Sequence, residues 1–194
     1  MPPTLSGCEA LKARLASANP HKLVELRRAL PDWEIALVEA GDAPPETGTT
    51  YTQNARVKAL HGRAYIPADE WAIGEDSGIE AEGLDGRPGI ASARWAEDGV
   101  VRLLAELEGA ANRRARYVCA IVAVGPAGDE VVVTGTLAGS ISRERRGSGG
   151  FGYDPVFVPE GEELTVAELG DAWKTLHSHR ARAAAALAEA LRAA

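Results

Sequence analysis

The sequence predicts an α/β protein built around one mixed β-sheet, and three observations lead to this fold class. Alternating apolar stretches and amphipathic stretches follow one another over the first half of the chain, which is typical of strands and helices packed in layers. Residues 115–143 then indicate two strands joined around Gly125–Gly128, a hairpin that adds antiparallel pairing. Of the 194 residues, 45% are apolar and no linker divides them. We therefore expect a single domain over 1–194, as one compact unit or as two lobes that share a sheet.

The first strand–helix–strand unit carries clear local signals. Residues 12–18 are expected to form a short first strand. A helix follows, with Asn19 as its N-cap and Pro20 at its first position, where proline fits best. Alternating apolar residues then predict a second strand over 33–39, with one buried face.

The rest of the chain predicts two more helices before the hairpin and a last one after it. Thr50 and Gln53 are spaced as a capping box at the start of a second helix. The glycine-dense residues 145–163 are not expected to form regular structure, and residues 1–11 resemble an N-terminal extension. The remaining elements are a strand over 70–76, a short amphipathic helix over 100–110 and a closing alanine-rich helix that starts near Ser178.

Composition excludes several classes of function. The net charge of −7 and the isoelectric point near 5.2 argue against a nucleic-acid partner, which would need a basic surface. Cys8 and Cys119 stand in no Cys/His spacing, so we expect two buried or incidental thiols rather than a disulfide or a zinc site. The first residues lack a signal-peptide pattern and no apolar run approaches about 18 residues, so we expect a cytoplasmic protein without a membrane partner.

Two adjacent acids, Glu75 and Asp76, fall at the expected end of the strand over 70–76. Ionised neighbours repel each other, so the pair is easier to explain if a cation shares it. Mg²⁺ usually takes one or two protein carboxylates plus substrate phosphates, and Glu46 with Asp76, supported by Glu75, would fit that requirement. Open α/β sheets bind their ligands at such strand ends. The alternative interpretation is a charged turn without a ligand.

Two segments contain lysines that could belong to a functional site, and the first could contact an anion. Ser17 and Asn19 precede a helix whose free N–H groups attract anions, and Lys22 lies in its first turn, where the helix dipole disfavours a cation unless an anion is bound. The alternative is an ordinary capped helix with a solvated lysine. Lys58 lies four residues after Asn54, so both side chains can face the same direction, and the alternative is a surface lysine.

The last third contains two groups that could belong to a functional site. Phe151 and Tyr153 lie in the glycine-rich stretch, and a base stacked on an aromatic ring gains about 1–3 kcal/mol. The alternative is a loop whose aromatic rings belong to the core. Ser178 is the expected N-cap of the closing helix, and His179 and Arg180 follow directly. Cations in a first turn break the local electrostatic rule, and such violations tend to mark functional sites.

Five motifs, taken in order, resemble the Ham1/RdgB-like inosine triphosphate pyrophosphatase family. They are "SANPHK", "ETGTTYTQNARVKA", "EDSGIEAEGLDGRPGIASARW", "GSGGFGYDPVF" and "AEL…K…SHR", and the resemblance extends from about residue 13 to the last helix. It implies a mixed twisted sheet with flanking helices, in two lobes around a central nucleotide cleft, and a homodimer. It also implies Mg²⁺-dependent hydrolysis of purine nucleoside triphosphates such as ITP, dITP and XTP to the monophosphate and pyrophosphate.

The resemblance also implies roles for individual residues. The expected metal ligands are Glu46, Asp76 and Glu75, with Asp76 as the base toward the attacking water and Lys22 and Lys58 as cations that offset phosphate charge. The expected triphosphate segment consists of Ser17, Ala18, Asn19, Pro20, His21 and Lys22. The expected contacts to the rest of the substrate are Ser77, Phe151, Gly152, Tyr153, Asp154, Lys174, His179 and Arg180. Ala18 stands where the family commonly has glycine, so the phosphate turn must tolerate a Cβ.

Two other hypotheses remain open from the sequence. A pyrophosphatase of the related Maf-like type would act on other nucleotides, and the "FGYDP" and "SHR" motifs speak against it. A nucleotide-binding protein without hydrolysis would keep the glycine-rich loop and the lysines but could dispense with Glu46 and Asp76. The presence of both acids favours an enzyme.

Overall fold

The structure, a computed structural model, describes residues 10–39 and 43–193 and has a mixed β-sheet at its centre. Cys8 and most of the predicted N-terminal extension lie outside the described residues. The strands are β1 (Leu11–Ala16), β2 (Trp33–Leu37), β3 (Trp71–Ala81), β4 (Arg114–Val124), β5 (Glu130–Ile141) and β6 (Phe157–Pro159). Their order in the sheet is β2-β1-β3-β4-β5-β6. β1 pairs in parallel with β2 and β3, whereas the other pairs are antiparallel, so the predicted mixed sheet is confirmed.

Helices flank both faces of this sheet, as the sequence predicts. They are α1 (Pro20–Ala29), α2 (Tyr51–Arg63), α3 (Gly99–Glu106), α4 (Val166–His177) and α5 (His179–Arg192), with short 3₁₀ turns at Glu82–Leu84 and Gly89–Ala91. Within the described part of the chain, no helix combines the length and the apolar character needed to cross a membrane.

The predicted helix starts are largely confirmed. The Asn19 side chain accepts a hydrogen bond from His21 N at 3.0 Å, which caps α1. Thr50 caps α2 in the same way, but the Gln53 side chain accepts from Thr49 N at 2.7 Å instead of completing the capping box with Thr50. Ser178 caps α5 as expected.

Helix α4 was not predicted, although it begins with the one complete capping box of the described helices, between Thr165 and Glu168. Gly170, at φ 77°, interrupts the helix near its start. Glycine permits this positive φ at little cost.

Three strand predictions need correction. β6 lies within residues 145–163, which were not expected to form regular structure, and its pairing with Gly139, Ser140 and Ile141 of β5 accounts for it. β1 ends at Ala16 rather than at residue 18, so Ser17 lies in the turn that leads into α1. β3 does not end at the acidic pair but continues to Ala81, because β4 pairs with it without interruption from Ala72 to Ala81. Its parallel neighbour β1 does stop there, since the last pair is Ala16 with Gly74. The acidic pair therefore lies beyond the carboxyl end of β1, in the middle of β3.

The core explains how the two faces of β3 differ. α1 and α5 pack on one face, over Ile73, and the helix α2 packs on the other face, over Ala72. A further apolar cluster around Ile79 and α3 shares the face with α1 and α5. Between the two clusters on that face β3 carries only Glu75 and Ser77, so a polar cleft separates two lobes of one sheet.

Two glycines permit helices to lie directly on the sheet. A Cβ at Gly74 would lie 1.9 Å from the Ala55 carbonyl oxygen of α2, and one at Gly135 would lie 2.1 Å from the His179 carbonyl oxygen of α5. Any larger residue would push the helix away. α5 carries Arg180 on the face with the cleft, and α2 carries Lys58 on the opposite face. The close packing therefore fixes the distance of functional side chains from β3.

Candidate active site

The pleat of β3 places its two adjacent acids on opposite faces of the sheet. Glu75 contacts residues of α1 and α5, whereas Asp76 contacts residues of α2. A cavity of about 230 Å³ opens beside Ser77 on the Glu75 face. It is lined by Asn19, Lys22, Ser77, Gly78, Ser92, Ala93, Tyr117, Phe151, Gly152, Tyr153, Asp154, Lys174, His179 and Arg180. The structure thus brings most of the predicted substrate residues together.

The aromatic ring of Phe151 lies at the cavity, in contact with the His21 ring and the Lys174 ammonium. The His21 ring stacks on it with centroids 5.3 Å apart, and Lys174 Nζ lies 4.7 Å from its centroid. The Phe151 N–H donates to Asp154 Oδ2 at 2.9 Å, which fixes the glycine-rich loop. The Phe151 ring is therefore held in place by polar groups rather than buried in the core. The Tyr153 ring, in contrast, is part of the core, as the alternative interpretation has it.

Asp154 organises the inner wall of the cavity. It accepts hydrogen bonds from Lys174 Nζ at 2.7 Å and from the Tyr117 hydroxyl at 3.2 Å. Burial raises the pKa of Asp154, and the Lys174 ammonium opposes that effect. The Tyr117 ring stacks on His179 with centroids 4.5 Å apart. Tyr117 therefore connects Asp154 to the first residue of α5. Tyr117 carries no local signal in the sequence, because its contacts depend on the register of β4.

Glu25 of α1 is a site residue that the sequence analysis missed. Its carboxylate lies 2.5 Å from Lys174 Nζ and also forms an ion pair with Arg180. Glu25 follows Lys22 by three residues, so the two share a face of α1, and this spacing is the signal that could have revealed it.

Arg180, Glu75 and Lys22 form a buried ion network beneath the cavity. Glu75 is fully buried, with Oε1 at 3.0 Å from Arg180 Nη2 and Oε2 at 2.5 Å from Lys22 Nζ. Burial alone would raise the pKa of Glu75, but the Arg180 and Lys22 charges hold that pKa well below its ordinary value. Cys119, buried as expected, lies with Sγ 3.1 Å from Glu75 Oε1, and burial raises the pKa of its thiol. Arg180 also donates to Ser77 Oγ at 3.0 Å.

His179 offers an unsatisfied nitrogen at the cavity. Its Nδ1 is buried and has no hydrogen-bond partner among the described residues. Burial and the neighbouring Arg180 charge hold its pKa well below the ordinary value, so the ring is neutral near pH 7. A neutral imidazole can either donate or accept a hydrogen bond through such a nitrogen.

On the opposite face, Lys58 gathers two carboxylates. Its Nζ lies 2.5 Å from Glu46 Oε1 and 2.9 Å from Asp76 Oδ1, and Asn54 Nδ2 donates to Asp76 Oδ2 at 3.1 Å. Arg94 Nη1 lies 2.6 Å from Glu46 Oε2. Burial raises the pKa of Asp76 from its ordinary value of 3.8, although Lys58 opposes this. Burial also disfavours ionised Glu46, but Lys58 and Arg94 outweigh it and lower the pKa of Glu46.

Two carboxylates of this cluster, those of Glu46 and Asp76, are suitable ligands for a hard divalent cation. The described residues contain no group of three or more His, Cys, Asp or Glu side chains that could hold a metal ion. Glu46 and Asp76 nevertheless approach one cationic position, now taken by Lys58 Nζ, and two carboxylates plus phosphate oxygens are what Mg²⁺ commonly uses. Glu75 does not join them, because it faces the other side of the sheet and is paired with Arg180 and Lys22.

The predicted phosphate segment forms a turn that leads into α1. Ser17 Oγ accepts from Asn19 N at 3.1 Å, which orders the residues before Pro20. Ala18 does not have a positive φ, so this turn accommodates a Cβ where glycine is common in the resembling family. Lys22 turns its ammonium to Glu75 instead of to solvent.

Comparison with known proteins places the chain in a family. The family model described as the Ham1 family matches residues 13–190. The chain belongs to the Ham1 family. The dITP/XTP pyrophosphatase of Bdellovibrio bacteriovorus is 42% identical to it over 91% of this chain and 96% of its own length. The dITP/XTP pyrophosphatase of Nocardia farcinica is 43% identical over 92% of this chain and 94% of its own.

Solved structures of Ham1 proteins share this fold. The Ham1 protein of Staphylococcus aureus has a TM-score of 0.81 at 33% identity, over 94% of this chain and 98% of its own. The HAM1 protein of Coxiella burnetii has a TM-score of 0.79 at 33% identity, over 95% of this chain and 100% of its own. The mixed sheet with helices on both faces is therefore the fold of the Ham1 family.

Proposed function

We propose that this protein hydrolyses noncanonical purine nucleoside triphosphates, ITP, dITP and XTP, to the monophosphate and pyrophosphate, and so cleanses the nucleotide pool. The observation that carries the proposal is the arrangement around β3, where an aromatic and cationic cavity and a Glu46–Lys58–Asp76 cluster lie on either side of one strand. The names of the curated relatives support the same substrate class.

The acidic cluster would carry out the hydrolytic step. Glu46 and Asp76 would hold a divalent cation, for which Mg²⁺ is the first choice, and its charge would offset that of the phosphates. Asp76 would orient the attacking water and accept its proton as the bond between the α- and β-phosphates breaks. Lys58, released from the carboxylates, would contact the phosphates. Lys22 and the N–H groups at the start of α1 would bind the remaining phosphate oxygens.

The cavity would select the base. Phe151 would stack on the purine, while Lys174, His179 and Arg180 would surround its edge. Arg180 donates hydrogen bonds and cannot accept them, so it suits the 6-oxo group of hypoxanthine or xanthine. An adenine amino group would place donor against donor, and an unsatisfied buried polar group costs about 1–3 kcal/mol, or about 10- to 100-fold. Ser77, Gly152, Tyr153 and Asp154 would complete the contacts.

We also propose a homodimer that works in the cytoplasm without a nucleic-acid or membrane partner. The net charge of −7 supports the absence of a nucleic-acid partner, because phosphate-binding surfaces are basic. The family resemblance supports the dimer. Light scattering of the purified protein tests it, and a mass of one chain at micromolar concentration would contradict it.

One assay tests the activity. The purified protein is incubated with Mg²⁺ and, separately, with ITP, dITP, XTP, ATP, GTP and UTP, and pyrophosphate release is measured. We expect release from the first three at rates about 10- to 100-fold above that from ATP. A preference for UTP would favour the Maf-like alternative, and tight binding of ITP without release would favour a binding protein.

A further inference from the structure

Arg94 connects the two sides of the proposed site. It lies in the motif "EDSGIEAEGLDGRPGIASARW", yet it is not among the residues to which a role is expected. It follows the 3₁₀ turn Gly89–Ala91, and its backbone N–H donates to Ala91 O at 2.9 Å. Ser92 anchors this turn, because its Oγ accepts from Ile79 N of β3 at 2.9 Å. Ser92 and Ala93 line the cavity, so Arg94 extends from its rim toward the acidic cluster.

The charges around Glu46 are balanced in a way that a divalent cation would disturb. Lys58 lies 2.5 Å from one oxygen of Glu46, and Arg94 lies 2.6 Å from the other. With Asp76 included, the cluster holds two positive and two negative groups. A divalent cation on Glu46 and Asp76 would leave two surplus positive charges, and like charges at contact distance repel. The polyphosphate of the substrate would supply the missing negative charge.

Arg94 is the cation in this cluster that can move most easily. Its side chain is 46% exposed, against 12% for Lys58. Among the described residues, its guanidinium forms its one side-chain hydrogen bond with Glu46, so its other N–H groups remain available. The planar guanidinium binds phosphate oxygens through two parallel hydrogen bonds, which a lysine cannot do.

We propose that Arg94 is a further phosphate-binding residue, whose guanidinium moves from Glu46 to the polyphosphate when a divalent cation takes the Glu46 carboxylate. This inference rests on the proposed function. Arg94 then has two effects of opposite sign. It competes with the cation for Glu46 when nucleotide is absent, and it strengthens nucleotide binding when the cation is bound.

The test uses the full-length variants R94Q and R94K and the matched control R87Q. Arg87 lies on the same loop and pairs with Glu106 at 2.6 Å, but it does not contact the cluster. Mn²⁺ binding without nucleotide is measured by electron paramagnetic resonance, and binding of α,β-methylene-ITP with Mn²⁺ is measured by calorimetry. Thermal unfolding of each variant verifies that it is folded.

We expect R94Q to bind Mn²⁺ several-fold more tightly than the wild type and to bind the analogue about 10- to 100-fold more weakly. R94K should recover only part of the analogue affinity, and R87Q should match the wild type in both measurements. Unchanged analogue affinity in R94Q, or Mn²⁺ binding that is not tighter, would overturn the inference. If the wild type releases no pyrophosphate from ITP, the proposed function fails separately, whatever the Arg94 variants do.

Discussion

The two faces of β3 carry neighbouring acids in opposite electrostatic situations. Glu75 is fully buried and paired with Arg180 and Lys22, which lower its pKa. Asp76 contacts Lys58 and Asn54, and its pKa is raised, with burial as the largest cause. A carboxylate held by two cations in the core maintains structure, whereas one near a displaceable lysine can bind a ligand or take a proton. Adjacency in sequence therefore does not imply a shared role.

The largest expected effect is a loss of activity on substitution of Asp76, which distinguishes its role from that of Glu75. D76N keeps the shape of the side chain but cannot act as a base, so we expect turnover of ITP to fall by about 100- to 10,000-fold. Because Asp76 is a partly desolvated acid, the variant should unfold at a temperature no lower than the wild type. Steady-state pyrophosphate release measures the turnover, and thermal unfolding measures the stability. Turnover within a factor of ten of the wild type would remove Asp76 from its proposed role.

The next largest expected effect is a loss of folding stability on substitution of Glu75, which lies on the other face of β3. E75Q leaves Arg180 and Lys22 without their shared carboxylate, and removal of one partner of a buried pair costs about 3 kcal/mol or more. Urea unfolding should detect this loss. Glu80 offers a control on the same strand, since it pairs with the exposed Arg116 and E80Q should cost less than about 1 kcal/mol. Equal stability of E75Q and E80Q would show that Glu75 is not structural.

A smaller effect is expected at Glu25, which positions two cavity cations. E25Q weakens the hold on Lys174 and Arg180, so we expect a KM for ITP about 10-fold higher with kcat nearly unchanged, and weaker discrimination against ATP. D171N is the matched control, because Asp171 joins α4 to Arg28 of α1 by an exposed pair at 2.7 Å. If D171N changed KM as much as E25Q does, the effect would come from helix packing.

The smallest expected signal is a difference in titration. Without divalent cations, carboxyl NMR should give Asp76 a midpoint above 3.8 and Glu75 a midpoint below 4.5. The lowered pKa of Glu75 stabilises the fold above its unfolded pKa, and this contribution is lost as pH falls through the folded value. The raised pKa of Asp76 acts oppositely, because its protonated form is favoured in the folded state at low pH. An Asp76 midpoint below 3.8, or a Glu75 midpoint above 4.5, would contradict the comparison of the two faces.

The sequence correctly predicted the features that depend on residues close together in the chain. The N-cap at Asn19 and the shared direction of Asn54 and Lys58 follow from helix geometry, and the structure has both. The length of β3 could not be read locally. Glycine, serine and acidic residues disfavour strands, but the long antiparallel partner β4 supplies the hydrogen bonds and overrides that preference.

Contacts between distant segments account for the rest of what was missed. Glu25 reaches Lys174 and Arg180 across 149 and 155 positions only because α1 packs beside α4 and α5. Arg94 reaches Glu46 through a turn that Ser92 fixes to β3. Such pairs depend on strand register and helix packing, which no short motif encodes.

We propose that Glu46 and Asp76 hold a divalent cation at the polyphosphate while Glu75 remains in its buried ion network. A crystal structure with Mg²⁺ and α,β-methylene-ITP tests it most directly. We expect oxygens of Glu46 and Asp76 at about 2.1 Å from the metal, with Glu75 still paired to Arg180 and Lys22. A metal bound by Glu75, or Glu46 and Asp76 turned away from the phosphates, would contradict it.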